Sequence, residues 1–275
     1  MTRPYAEIIG DPVAQSKSPL IHGFWLDALE INAEYRRTHV TAEGLGDYFA
    51  SRRDDPDWRG CNITMPHKLL ALDHVADPGD VRYSIGAINT AFRGEGDPGH
   101  GQVIGTNTDA AGFFAPIADL SLLGESVTVV GAGGAARAVL FALSRLGVGE
   151  VVMMGRSPLK AAGLLASFGL KGATLPLDAP VPPSRLLVNA STLGMTGAEP
   201  LHLDLSPLPP EAVVYDVVYS PLETPLLAAA RARGLETVDG LEMLVAQAAA
   251  AFELFFGVAP PEGRDEELRA LLVAA

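Results

Sequence analysis

Residues 126–157 read SVTVVGAGGAARAVLFALSRLGVGEVVMMGRS. A β-rich run ends at Gly131, Gly133 and Ala136 complete a G-x-G-x-x-A turn, an Ala/Leu-rich helix continues to about Leu146, and a second strand runs from about Val151 to Gly155. This is a βαβ nucleotide unit. Gly131 permits the tight turn, Gly133 lets a pyrophosphate approach the backbone, and the small Ala136 lets helix and strand pack closely. A glycine triplet alone often marks only a strand-to-helix turn; the flanking strand, helix and strand make it a dinucleotide site. In an NAD site a carboxylate at the end of the second strand holds the ribose hydroxyls. Here that position carries Gly155, Arg156 and Ser157, so a guanidinium stands where a 2′-phosphate would sit, and NADP is favoured over NAD. The alternative for Arg156 is a solvated residue after a strand. Lys160, one helical turn on, adds a second positive charge.

Around this unit, AEIIG, GCNITM, RLLVNAS and AVVYDVVY also read as strands, with helix-like patterns between them. The alternation predicts an α/β protein with a largely parallel sheet. The 275 residues, 48% hydrophobic and 19% charged, suffice for one large core or two domains. A net charge of −13 argues against nucleic acid and anionic lipid as partners, so an anionic ligand must meet locally concentrated positive charge. The single cysteine, Cys61, cannot form an intrachain disulfide, and no secretory signal opens the chain, which together predict a cytoplasmic location. The apolar stretch 241–259 is interrupted by Glu242, Gln247 and Glu253 and reads as a helix of a soluble protein, not a membrane span.

Three segments carry polar residues that a packed core does not need. In GDPVAQSKSP, Ser18 and Pro19 read as N-cap and first residue of a helix, which brings Ser16 and Ser18 near exposed helix N–H groups suited to a carboxylate. Ordinary capping explains Ser18 equally well and leaves Ser16 unexplained. In CNITMPHK, Pro66 reads as the start of a helix through HKLLALDHV, with Lys68 in its first turn. A cation there opposes the helix dipole, which points to function and to proton transfer; a solvated lysine is the alternative. In GTNTDAAGFF, Asp109 stands at a helix start, where capping is the default role. The six histidines lack metal-ligand spacing, so no metal site is expected, and no nucleophile-elbow sequence supports hydrolysis.

Taken in order, GDPVAQSKSP, NITMPHK, GAINT, GTNTD, GAGGAARA, GRSPLKA, NASTLGM, DVVYSPLETPLL and GLEMLVAQAAAAFEL resemble the shikimate dehydrogenase family over nearly the whole chain. The resemblance implies an α/β substrate domain (residues 1–109 and 241–275), a Rossmann-type NADP-binding domain (110–240) and a cleft between them. It implies NADPH-dependent, reversible reduction of 3-dehydroshikimate to shikimate in aromatic amino acid biosynthesis, with Lys68 and Asp109 as the catalytic pair. Ser16 and Ser18 would bind the substrate carboxylate, Thr64 and Asn89 its ring hydroxyls, and Tyr219 and Gln247 would complete the pocket. Gly131, Ala132, Gly133, Gly134 and Ala135 would hold pyrophosphate, Arg156 and Lys160 the adenosine phosphate, and Val217, Gly240 and Met243 the nicotinamide end.

Two positions depart from the commonest family pattern. Gln15 replaces a frequent histidine, with little consequence, and Gly155 replaces an asparagine, which removes a hydrogen bond beside the adenosine ribose and weakens the case for NADP preference. The alternatives are a quinate or quinate/shikimate dehydrogenase using NAD, opposed by Ser16, Ser18 and Arg156, and a noncatalytic nucleotide-binding regulatory module, opposed by Lys68 with Asp109. Expected partners are a small-molecule substrate only, with the chain a monomer or homodimer.

Overall fold

Every run read above as a strand overlaps a strand of the computed structural model, which describes residues 3–94 and 102–275. The chain divides into two compact units, Met1–Thr108 with Val245–Ala275, and Asp109–Leu244.

In the first unit β1 (Tyr5–Gly10), α1 (Ser18–Ala28), β2 (Glu34–His39), α2 (Leu45–Arg53), β3 (Trp58–Ile63), α3 (Val81–Ser84), β4 (Thr90–Arg93) and β5 (Val103–Thr106) follow in order. The sheet order is β2-β1-β3-β4-β5, with the first three strands parallel and the last two antiparallel. The interior strand β1 is buried along its whole length, whereas the edge strand β2, EYRRTH, is polar, as an edge that must resist further pairing tends to be. One charge enters the core: Glu7 of β1 is 0% exposed. It accepts hydrogen bonds from Tyr48 Oη at 2.8 Å, Arg52 Nε at 2.6 Å and Thr38 Oγ1, the pairing without which a buried carboxylate is not tolerated.

His22 of α1 is also fully buried, stacked on Tyr35 with ring centroids 4.0 Å apart and edge-on to Trp25. Burial pushes its imidazole down to about 3, only partly opposed by the Asn62 side chain. Below the ordinary histidine value near 6.5 the unfolded chain takes up a proton that the folded chain refuses until about pH 3. Stability present above pH 6.5 is therefore lost as pH falls through that window, by up to about 1.4 kcal/mol per pH unit. A His22→Phe variant should show a flatter fall of Tm between pH 6.5 and 4 than the parent, measured by thermal melts; parallel curves would refute the assignment.

The second unit begins with α4 (Asp109–Phe114) and continues through β6 (Ser126–Val130), α5 (Gly134–Leu146), β7 (Glu150–Met154), α6 (Pro158–Ser167), β8 (Gly172–Leu175), β9 (Leu186–Asn189), β10 (Val213–Asp216), α7 (Pro225–Ala232) and β11 (Glu236–Val238). All six strands are parallel in the order β11-β10-β9-β6-β7-β8. This is the doubly wound arrangement, and its order reverses between β6 and β9, so a crevice is expected beyond the carboxyl ends of those two strands. Ala136, Val139, Leu140 and Leu143 of α5 are buried with Val127, Val129, Val151 and Met153 of β6 and β7 in one core. The last helices are α8 (Gly240–Phe256), which starts in the second unit and continues in the first, and α9 (Asp265–Ala274). Among the described residues no helix is long and apolar enough to cross a membrane.

Candidate functional site

In the first unit, side chains from distant parts of the sequence form one buried hydrogen-bonded chain. Asn89, 2% exposed, lies just before β4; its Oδ1 accepts the Thr108 N–H at 2.7 Å and the Thr90 hydroxyl at 3.1 Å. Two donors on one end of the amide fix the other end, Nδ2, which donates to Thr108 Oγ1 at 2.9 Å and to Gln247 Oε1 at 3.3 Å. The Gln247 amide from α8 is thereby oriented too, with its Nε2 turned away from Asn89. The chain extends through Thr90 Oγ1 to Asn62 Nδ2 at 3.2 Å, and Asn62 Oδ1 accepts from Tyr35 Oη at 2.6 Å. Such a network is rigid because each member has its partners, and it sets the direction of each amide before any ligand arrives.

Lys68 and Thr64 are half-buried in the segment after β3. The expected helix through HKLLALDHV does not form: residues 65–69 make turns, followed by a short 3-10 helix at Leu70–Asp73. The reason is packing. His67 and Ala71 are buried, but Leu69 and Leu70 are 45% and 42% exposed, so no continuous apolar stripe supports the costly first turn of an α-helix. The dipole argument for Lys68 accordingly falls away. What holds Lys68 in place is its carbonyl, which accepts the Ile88 N–H at 2.7 Å, while Asn107 Nδ2 donates to the Ala87 carbonyl at 2.8 Å. The lysine's backbone is thus tied to the residue preceding Asn89.

Ser16 and Ser18 are 9% and 2% exposed, with hydroxyls 3.2 Å apart. The expected Ser18 cap does not form: Lys17 is the N-cap of α1, without a side-chain cap bond, Ser18 is its first residue, and the Ser18 N–H donates to Ser16 Oγ at 3.2 Å. Ser16, one residue before the N-cap, thus accepts the N–H of the first helical residue, and Ser18 brings a second hydroxyl to the same place. Pro12 and Pro19 bracket a segment in which the Ser16 N–H also donates to the Val13 carbonyl, a turn that aims both serines the same way.

In the second unit Gly131 has φ +104°, and a Cβ there would lie 2.9 to 3.0 Å from Ser191 Cβ and the Ala190 carbonyl, across the point where β6 and β9 part. Only glycine fits. Gly133 differs, since a Cβ on it would meet nothing within 4 Å. It is the N-cap of α5, without any side-chain cap. Protein packing does not require a glycine at 133, so the open space in front of uncapped helix N–H groups fits a pyrophosphate. Ala132, Gly134 and Ala135 line the same turn and are half-buried. At the end of β7, Gly155 is likewise open to 4 Å, and Arg156 and Lys160 are exposed. The residues present therefore suit a dinucleotide bearing a phosphate on its adenosine ribose.

Beyond β9 and β10 lies a second buried network. Asp216 accepts from Asn189 Nδ2 at 2.9 Å, the Val218 N–H at 3.0 Å and Thr224 Oγ1 at 2.7 Å, and burial raises its carboxyl above the ordinary value. Asn189 Oδ1 in turn accepts from the Ser191 hydroxyl at 2.7 Å. The loops after both strands are thereby fixed, including Val217 and Tyr219, and burial raises the Tyr219 phenol. Gly240 starts α8 where a Cβ would come within 2.5 Å of the Val217 and Val218 carbonyl oxygens. Met243, 7% exposed, belongs to the same core as Val217. Asp109 is the first residue of α4 and is 4% exposed. Among the described residues no cluster of histidine, cysteine or acidic side chains is arranged to hold a metal ion.

Sequence reasoning passed over Asn62, Thr90 and Thr108. Asn62 was detectable as an amide inside an otherwise apolar strand, and Thr108 as the residue directly before the singled-out Asp109 in GTNTD.

Residues 8–91 match the model of the shikimate dehydrogenase substrate binding domain, and residues 240–267 that of the shikimate 5′-dehydrogenase C-terminal domain. The NADP(+) shikimate dehydrogenase of Sphingopyxis alaskensis is 68% identical over 98% of this chain and 97% of that protein. The shikimate 5-dehydrogenase of Thermus thermophilus, solved with NADP(H) and shikimate, superposes with a TM-score of 0.84 at 36% identity, covering 98% of this chain and 99% of that one. A quinate dehydrogenase of Corynebacterium glutamicum, solved with NAD, gives a TM-score of 0.83 at 28% identity over 98% and 99%.

Proposed function

The chain belongs to the shikimate dehydrogenase family, and we infer from that premise that it catalyses the NADP-dependent, reversible reduction of 3-dehydroshikimate to shikimate. The observation that carries this is the coexistence of an open glycine turn with Arg156 beyond it and a pre-oriented set of hydroxyls and amides around Asn89. The first selects a phosphorylated dinucleotide, the second a small polyol acid. The much higher identity to an NADP(+) shikimate dehydrogenase than to the NAD-bound quinate dehydrogenase favours this over the quinate alternative.

In this scheme residues 1–109 and 241–275 bind substrate and residues 110–240 bind cofactor. Ser16 and Ser18 donate to the carboxylate, and Thr64, Asn89 and Gln247 hold the ring hydroxyls, with Tyr219 completing the set. NADPH, when bound along Gly131–Ala135 with its adenosine phosphate on Arg156 and Lys160 and its nicotinamide near Val217, Gly240 and Met243, supplies the hydride. Lys68 donates a proton to the oxygen of the C3 carbonyl as negative charge develops there. Asp109 orients the ammonium and accepts from the neighbouring hydroxyl. In the oxidative direction Lys68 takes the same proton back. The buried, reduced Cys61 suits a cytoplasmic enzyme.

The test follows absorbance at 340 nm with purified protein, shikimate or quinate, and NADP or NAD. Fast turnover is expected with shikimate and NADP, and Arg156→Ala should raise KM for NADP by about tenfold to a hundredfold while leaving KM for NAD alone. Faster turnover with quinate, or equal response of both cofactors to Arg156→Ala, would count against the assignment.

A further inference from the structure

We propose that Arg37 is a positioning residue for the substrate carboxylate and sets the enzyme's demand for that group; this rests on the assignment of Ser16 and Ser18 above. Arg37 lies near the end of the edge strand β2, outside every segment that the family resemblance singles out. Its Nε and Nη2 both donate to one acceptor, the Ser16 carbonyl oxygen, at 3.1 and 2.6 Å. Among the described residues no carboxylate pairs with this guanidinium, whereas its neighbour Arg36 pairs with Glu34, and Arg52 with Glu7. A side chain with many rotamers is thus held on a single backbone oxygen. The same segment is tied from its other side by Lys17 Nζ, which donates at 2.5 Å to the Leu272 carbonyl in the last turn of α9.

Two effects follow at the serines. The paired bond fixes the Ser16–Lys17 peptide and polarises it toward its N–H, at the N-cap of α1, beside two hydroxyls 3.2 Å apart. The exposed guanidinium also brings to this spot a positive charge that no carboxylate among the described residues pairs with, in a chain whose net charge is −13. Both effects strengthen binding of an anion at Ser16 and Ser18, and neither touches the reacting carbonyl or the cofactor.

The experiment compares the parent with Arg37→Ala, Arg37→Lys and Ser16→Ala, on shikimate and on its methyl ester, with kcat and the KM of each substrate and of NADP as readouts. Arg37→Ala should raise KM for shikimate about tenfold with kcat and KM for NADP within about twofold, and Arg37→Lys should recover part of the loss, because it keeps the charge without the paired donors. On the methyl ester, which carries no charge, parent and Arg37→Ala should agree within about twofold. An equal rise on both substrates, or a rise in KM for NADP, would show a merely structural effect and overturn the proposal, as would an unchanged KM for shikimate in Arg37→Ala alongside a raised one in Ser16→Ala. If Ser16→Ala itself leaves KM unchanged, the assignment of the serines fails, and the role of Arg37 fails with it.

Discussion

Replacing Lys68 with alanine should lower kcat for shikimate oxidation by about a thousandfold, near the middle of what a positioned proton donor or acceptor contributes. The chemistry demands it. Without a donor within reach, the alkoxide left by hydride addition must wait for water, and in the reverse direction nothing relieves the hydroxyl of its proton as the hydride departs. The fold tolerates the change, because the segment is held by the buried His67 and Ala71 and by the hydrogen bond from Ile88 to the Lys68 carbonyl, none of which involves the lysine side chain. Stopped-flow and steady-state kinetics, with a thermal melt as control, make the measurement. A variant whose kcat is preserved while only its KM for shikimate rises would mean that Lys68 binds and does not transfer protons.

A second large effect is expected at Gly133. Gly133→Asp should leave the melting temperature unchanged or slightly raised and weaken NADPH binding by on the order of a hundredfold, as read by titration of cofactor fluorescence. The backbone there, φ −92° and ψ −164°, is extended and open to any residue. Aspartate is moreover a good N-cap, able to satisfy the helix N–H groups that no side chain caps now. Those same donors and that same space are what a pyrophosphate bound at this turn would use, and a fixed carboxylate would repel it. The contrast with Gly131→Ala is informative: at φ +104°, with the Ala190 carbonyl 3.0 Å from the added methyl, the expected result is lost stability, and with it lost binding. If Gly133→Asp bound NADPH normally, the glycine turn would not be the pyrophosphate site.

The two halves of the molecule were not equally legible in the sequence. The β6-α5-β7 unit could be read because its signals are local: glycines at fixed offsets, a strand on either side, and an apolar helix of ordinary length. The edge strand β2 carries EYRRTH and gave no apolar run, since one side faces solvent and its task is to end a sheet. The helix expected after Pro66 had suitable residue types but no buried face to hold it. Asn89 and Gln247 entered only through the family resemblance, and the hydrogen-bonded chain that joins them to Thr90, Asn62 and Tyr35 escaped notice for a different reason. Its members are far apart in sequence, and each alone looks like an ordinary polar residue; only tertiary packing makes them one network. Likewise the Ser16 and Ser18 pair was visible, but whether Ser18 is the N-cap or the first helical residue depends on a one-residue offset that no pattern specifies.

The first unit is closed by residues that a ribosome makes only after the whole of the second unit. Its sheet is complete by Thr106, yet Ala6 packs against Ala251 and Phe255, Asn89 bonds to Gln247, and Lys17 reaches Leu272, a separation of 255 residues. The second unit, by contrast, is one unbroken stretch of 136 residues, Asp109–Leu244. During synthesis the order of folding should therefore invert the order of translation: nascent chains arrested with residue 244 just outside the ribosome should hold a protease-resistant second unit and a first unit still open to cleavage. An equally resistant first unit at that length would exclude this order. The hydroxyl and amide side of the site, encoded mostly in the first hundred residues, would then become competent only when α8 and α9 arrive.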